Sequence, residues 1–286
     1  MVKSSIGQIN GNFNGYERLA ELSSQLAACE FEEIELDFSR CAWFDANMSA
    51  ALGAVLAHVS DRFNDIKITG LQPDLEKILA KNRFLVGYGY TPRSDTYGST
   101  LPYRRLQPDD ERYFTAYVNQ HLRRQEIPSM SQPLSRSFKD GILEVFANAA
   151  AHSETELGIF VCGQYFHKQQ RLDFSIADAG IGMRRKIAKE LGLVLNSDKA
   201  IEWALGEGNT TRKGSIPGGL GLKLLKEFIT FNRGRLQIVS ARGYWELNAG
   251  KQSLARMKHI FPGTVVNIEI NTADTNSYRL SSESDN

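Results

Sequence analysis

Apolar and polar residues alternate along Ile34-Glu-Leu-Asp-Phe38, the period of a half-buried strand. From Ala46 to Val59 the pattern becomes an alanine-rich helix with Leu52, Val55, Leu56 and Val59 on one stripe. Asp65 to Gly70 reads as a second strand, and Pro73 opens a helix where its missing amide hydrogen costs nothing. Leu75, Ile78 and Leu79 face inward from that helix. Tyr88 to Pro108 is rich in Gly, Pro, Ser, Thr and Tyr and reads as a linker. Helices are then predicted over Asp109 to Arg124 and Ser135 to Ser153. Leu157 to Phe166 and Arg171 to Asp178 form a predicted hairpin, followed by short helices over Met183 to Leu191 and Ser197 to Leu205. Gly206 to Gly218 reads as a glycine-rich loop, and Gly219 to Asn232 as a helix stopped by Gly234. Strands follow over Arg235 to Ser240 and Tyr244 to Leu247, with a turn at Arg242-Gly243, and a last strand over Thr264 to Ile270. Thr272 to Asn286 is polar and is expected to be disordered.

The order of elements implies an α/β protein of two units. Residues 1–88 make a small α/β domain, 89–133 a linker and connecting helix, 134–272 a larger domain, and 273–286 a tail. A length of 286 residues fits two domains of ordinary size. A net charge of +1 implies no broad pull toward nucleic acid or acidic lipid. The three cysteines are scattered and none has metal-ligand spacing, so reduced thiols and a cytoplasmic setting are expected. The longest apolar stretch, Met48 to Val59, is too short and too mixed to span a membrane.

Three segments carry candidate chemistry. In Glu144-Val-Phe-Ala-Asn148-Ala-Ala-Ala-His152 the polar residues recur at helical spacing beside the apolar stripe Phe138, Ile142, Val145 and Ala149. Asn148 is a neutral oxygen donor suited to Mg²⁺ when phosphates complete the shell. Glu144, one turn earlier, is placed to polarise a nucleophile. A solvated polar face is the plainer reading. In Asp178-Ala-Gly180-Ile-Gly182 a strand ends in an acceptor-only carboxylate. It can accept from an exocyclic amine, while the glycines admit a flat ring; ordinary turn chemistry is the alternative. The third segment runs from Thr211-Arg212-Lys213 to Gly219-Leu220-Gly221-Leu222. Its glycines leave amide hydrogens at a helix N-terminus, where phosphate oxygens fit. It lacks the GKS or GKT of a Walker loop.

In this order the three segments resemble the GHKL ATPase superfamily over roughly Ser135 to Thr272. That resemblance implies a layer of helices on a mixed sheet, with ATP and Mg²⁺ between a helix and a lid at Gly206 to Gly218. It implies Asn148 as the magnesium-binding residue, Glu144 as the catalytic one and Asp178 as the reader of adenine. Gly180 and Gly182 would line the ring, and Gly219, Leu220, Gly221 and Leu222 the phosphates. Thr211, Arg212 and Lys213 would add contacts from the lid, and Thr264, after Gly263, would support the adenine end. The local sequence is most similar to the anti-sigma-factor serine kinases. Residues 1–88 more weakly resemble STAS-like domains through Ile34-Glu-Leu-Asp-Phe-Ser39 and Phe44-Asp45-Ala46-Asn47. STAS antagonists carry a phosphorylatable serine just after that aspartate, where this chain has Ala46 and Asn47. The implied activity is a regulatory ATPase or protein kinase acting on a protein partner. A non-catalytic nucleotide-sensing module is the alternative. Neither a membrane nor nucleic acid is expected as a partner, and a homodimer is left open.

Overall fold

Each sheet gathers strands of one kind, and the helices between them follow from that difference. The computed structural model describes residues 1–122, 126–206, 208–209, 220–280 and 282–283, with backbone alone for 220 and 221. The first unit runs β1 (Val2–Ser5), α1 (Phe13–Gln25), β2 (Glu33–Asp37), α2 (Ser49–Ser60), β3 (Asp65–Thr69) and α3 (Pro73–Lys81). Its strands pair in parallel in the order β1-β2-β3, so a helix must carry the chain across between each pair. Asn12 starts α1 by accepting from the amide of Gly15 at 3.0 Å.

The rest of the chain supplies β4 (Thr100–Leu106), α4 (Glu111–His121), α5 (Gln132–His152), β5 (Ile159–Phe166) and β6 (Arg171–Asp178). It continues with α6 (Gly182–Leu191), α7 (Ser197–Ala204), α8 (Leu220–Phe231), β7 (Arg235–Asn248) and β8 (Lys251–Asn271). Five strands pair antiparallel in the order β4-β5-β6-β8-β7. The protein is α/β, but the sheet of the larger unit, expected to be mixed, is wholly antiparallel.

Both faces of the large sheet are covered, and strand alternation sorts them. Val161, Phe174, Ile176, Ile268 and Ile270 point to one side, where Phe114 of α4, Phe138 and Phe146 of α5 and Phe228 of α8 meet them. Phe160, Cys162, Ala177 and Val265 point to the other, into a cluster shared with α1, α2 and the small sheet. The layers therefore run small sheet, α1 and α2, large sheet, then α4, α5 and α8. Helix α2 has ten of its 12 residues buried because it is covered on both sides. Gly53 marks the closest approach: a Cβ there would lie 2.4 Å from Tyr103 Oη and 3.0 Å from Phe160. The apolar core thus runs without a break across residue 88.

Several expectations are corrected. Tyr88 to Pro108 is not only a linker, since it contains the edge strand β4, whose Leu101 and Leu106 are buried. No turn occurs at Arg242-Gly243; β7 continues through an irregularity there and turns at Ala249-Gly250, both at positive φ. Hence β7 and β8 are far longer than expected. The tail is anchored by one aromatic residue. Tyr278 exchanges backbone hydrogen bonds with Ser129 and Ser131 at 2.9 and 2.8 Å, and its ring packs edge-on against Phe228 at 5.5 Å. No helix among the described residues is long and apolar enough to cross a membrane.

Candidate functional site

Asp178 closes β6 and stands opposite Thr264 in the ladder with β8. It is buried, and its Oδ1 accepts from the amides of Gly180 at 2.9 Å and Thr264 at 3.3 Å. No donor among the described residues reaches Oδ2. Burial pushes the carboxyl up to about 7, against the opposing pull of the two amides. The carboxylate is thus held in position while part of its accepting capacity is unused.

Two glycines make this corner. At Gly180 a Cβ would sit 2.1 Å from the carbonyl oxygen of Ser153, so only glycine lets the turn close against the end of α5. At Gly263, where φ is +115°, a Cβ would meet the Asp178 carbonyl oxygen at 2.0 Å. Gly182 opens α6, and the next amide, of Met183, donates to Ser240 Oγ at 2.9 Å. Ser240 Oγ lies 3.1 Å from Thr264 Oγ1, which ties β7 to β8 beside the irregularity in their pairing.

Helix α5 brings the first segment to this corner. Phe138, Ile142 and Val145 are buried as its stripe requires, and Glu144 and Asn148 occupy its half-buried flank. Each of the two is already engaged in a polar or electrostatic interaction. Ser153 ends the helix and accepts from the amide of Ile181 at 2.8 Å, so the end of α5 is bonded to the Asp178 turn. Asn148 precedes Ser153 by only about 7.5 Å of helix rise.

The third segment is only partly in view. Leu220 and Gly221 are the first residues of α8, and Leu222 is half-buried against the core. Thr211, Arg212, Lys213 and Gly219 lie outside the described residues, as does most of the Gly206 to Gly218 segment. The structure therefore joins Asp178, Gly180, Gly182, Thr264 and the end of α5. Among the described residues no group of three or more His, Cys, Asp or Glu could hold a metal ion.

A second polar cluster, on the other face of the large sheet, was not anticipated. Asn47, wholly buried, donates to Ser175 Oγ at 3.2 Å and Asn267 Oδ1 at 3.1 Å. The amide of Ala46 donates to the Gln164 side chain. Asp173, also buried and raised by burial, accepts from Asn267 at 3.2 Å and lies 3.3 Å from Arg171. Ala46 and Asn47 are thus anchors between the two units, with no surface exposed to a modifying enzyme. The one available signal was the polar alternation of Asp173 and Ser175 on an otherwise apolar strand.

No protein-family model matches this chain, and no curated protein matches it in sequence.

Proposed function

We propose that the corner at Asp178 binds the adenine of Mg²⁺-ATP, and that this protein is a GHKL-type regulatory ATPase or serine/threonine kinase. The observation that carries the reading is a buried carboxylate at a strand end with one oxygen held by two amides and the other unused. An exocyclic amine is the complementary donor. Glycine at Gly180 leaves the turn thin where it meets α5. Asn148 and Glu144 stand on the helix leading into it. Asn148 supplies a single neutral oxygen, which suits an ion held mainly by nucleotide phosphates and water. Glu144 would orient water or take a proton from a protein hydroxyl, with positioning and charge supplying most of the rate.

The companion reading is a nucleotide sensor without turnover. The observation favouring it is the shared core, which couples the STAS-like unit to the sheet that carries Asp178. Titration calorimetry with ATP, ADP and GTP, with and without Mg²⁺, tests the site. ATP or ADP should bind and GTP should bind little; equal binding of GTP, or no binding of any, overturns the proposal. Incubation with γ-labelled ATP then separates hydrolysis, phosphoprotein formation and neither.

A further inference from the structure

On the face of the large sheet away from α5, a cleft of about 450 Å³ opens between the chain leading into α1 and the starts of β6 and β7. That is ample for a small molecule. Its walls come from four stretches far apart in sequence, at Asn10 to Asn12, Trp43 to Asp45, Gln169 to Arg171, and Arg235.

The charges in this cleft are already matched. Arg171 and Arg235 both donate to the same oxygen of Glu269, at 3.0 and 2.5 Å. Arg171 also lies 3.5 Å from Asp45, and Arg235 lies 3.9 Å from Glu246. An anion would find no surplus positive charge. What the cleft has in excess is hydrogen-bonding capacity beyond its balanced charges, from guanidinium donors and side-chain amides. A guanidinium has five N–H groups, more than these carboxylates use. The side-chain amide of Gln169 adds a donor and an acceptor, and Asn10 and Asn12 add N–H donors, their oxygens already accepting from Gln8 and from the Gly15 amide.

Trp43 forms part of the wall and is 44% exposed. Its indole N–H donates to Asp45 Oδ1 at 2.7 Å, while Asp45 Oδ2 accepts from the Gly11 amide at 2.7 Å. A large ring left open to water is thereby locked in one orientation. A fixed aromatic plate beside planar polar side chains complements a ring with hydroxyls at its edge and C–H groups on its face.

We propose that this cleft binds an uncharged polyhydroxylated ring, a free saccharide or the ribose of a nucleoside, resting on Trp43 and hydrogen-bonded by Arg171, Arg235 and Asn10. The site is separate from the Asp178 corner. Arg171 and Asp178 stand at opposite ends of β6, about 23 Å apart at the usual rise, and the proposal does not rest on the nucleotide reading.

The test is saturation-transfer NMR on the full chain with glucose, galactose, mannose, ribose and adenosine, and phosphorus NMR titration with inorganic phosphate. The adenosine arm is repeated in Asp178→Asn, which removes the other candidate site. At least one ring should bind with Kd on the order of 1 mM. Trp43→Ala should weaken it about tenfold or more, Trp43→Phe should restore part of it, and Asn10→Ala should weaken it several-fold. Ribose and adenosine together point to a nucleoside, and a hexose alone to a saccharide. No binding at about 20 mM, binding unchanged in both alanine variants, or phosphate binding in preference to every ring overturns the proposal. If Trp43→Ala does not fold, Asn10→Ala and Gln169→Ala decide.

Discussion

The side-chain amide of Asn47 donates to Asn267 Oδ1 at 3.1 Å, joining the turn that leads into α2 to an interior strand of the large sheet in a place water does not reach. Asn47→Ala should lower the stability of the whole chain by ~1 kcal/mol, the usual net value of such a bond. Urea unfolding followed by circular dichroism would show it as a shifted midpoint with unchanged slope. A stability equal to wild type would mean that the apolar contacts alone seat the first unit.

The contact at Gly53 makes a stronger test of the same packing. Gly53→Val should force α2 away from Tyr103 and Phe160 at a cost of ~1–3 kcal/mol, as overpacking generally does. A fragment of residues 1–88 would leave the sheet-facing side of α2 exposed. It should bind a hydrophobic dye and lack a cooperative thermal transition. A monomeric fragment with a sharp transition would show that the first unit stands alone.

Asp178 should couple stability and ligand binding in opposite senses. Folding lifts its carboxyl to about 7, against ~3.9 when unfolded. Between those values the folded chain holds the extra proton. The stability from this group is full below ~4 and is lost as pH rises to about 7. The span is worth at most ~4 kcal/mol. Asp178→Asn should therefore raise the unfolding midpoint at pH 8 and give no gain at pH 4. The same variant should lose ATP affinity by roughly 10- to 150-fold. Wild-type affinity should rise with pH through about 7 as the carboxylate forms. A variant no more stable at pH 8 would mean that burial costs the ionised Asp178 nothing.

Glu144 and Asn148 should separate binding from turnover. Glu144→Ala is expected to keep nucleotide affinity and slow transfer, to water or to a protein, by about 10²–10⁴. Asn148→Ala should lose the magnesium-dependent part of binding. Unchanged turnover in Glu144→Ala would leave a switch that works through binding alone.

The thiols give a check on the fold itself. Burial pushes Cys41 up to about 11 and Cys162 up to about 12, while Cys29 is half-buried. Near neutral pH a thiol reagent should modify Cys29 alone in the native chain, and all three after denaturation. Rapid native labelling of Cys162 would contradict the packing of β5 against α2.

Local periodicity by itself determined much of this protein. The stripe Phe138, Ile142, Val145 specifies α5 and its buried side, and the hairpin of β5 and β6 follows from two apolar runs around a polar turn. Asp178 and its glycines were legible as a strand end because turn chemistry is written within a few residues. The short strand β1 escaped notice because Val2-Lys-Ser-Ser has too little alternation, whereas α1 buries Tyr16, Leu19 and Ala20 on one face at helical spacing and was legible in the sequence. Only the tertiary structure decided that α2 is covered on both sides and that Asn47 is buried. It alone gathered Arg171, Asp173, Arg235 and Glu269 into one cluster. Those residues are neighbours because β8 lies between β6 and β7, an order that no single strand encodes. Pairing is chosen by the closure of the whole sheet and by what covers each face, and burial then sets which polar groups are partnered and which carboxyls hold their protons.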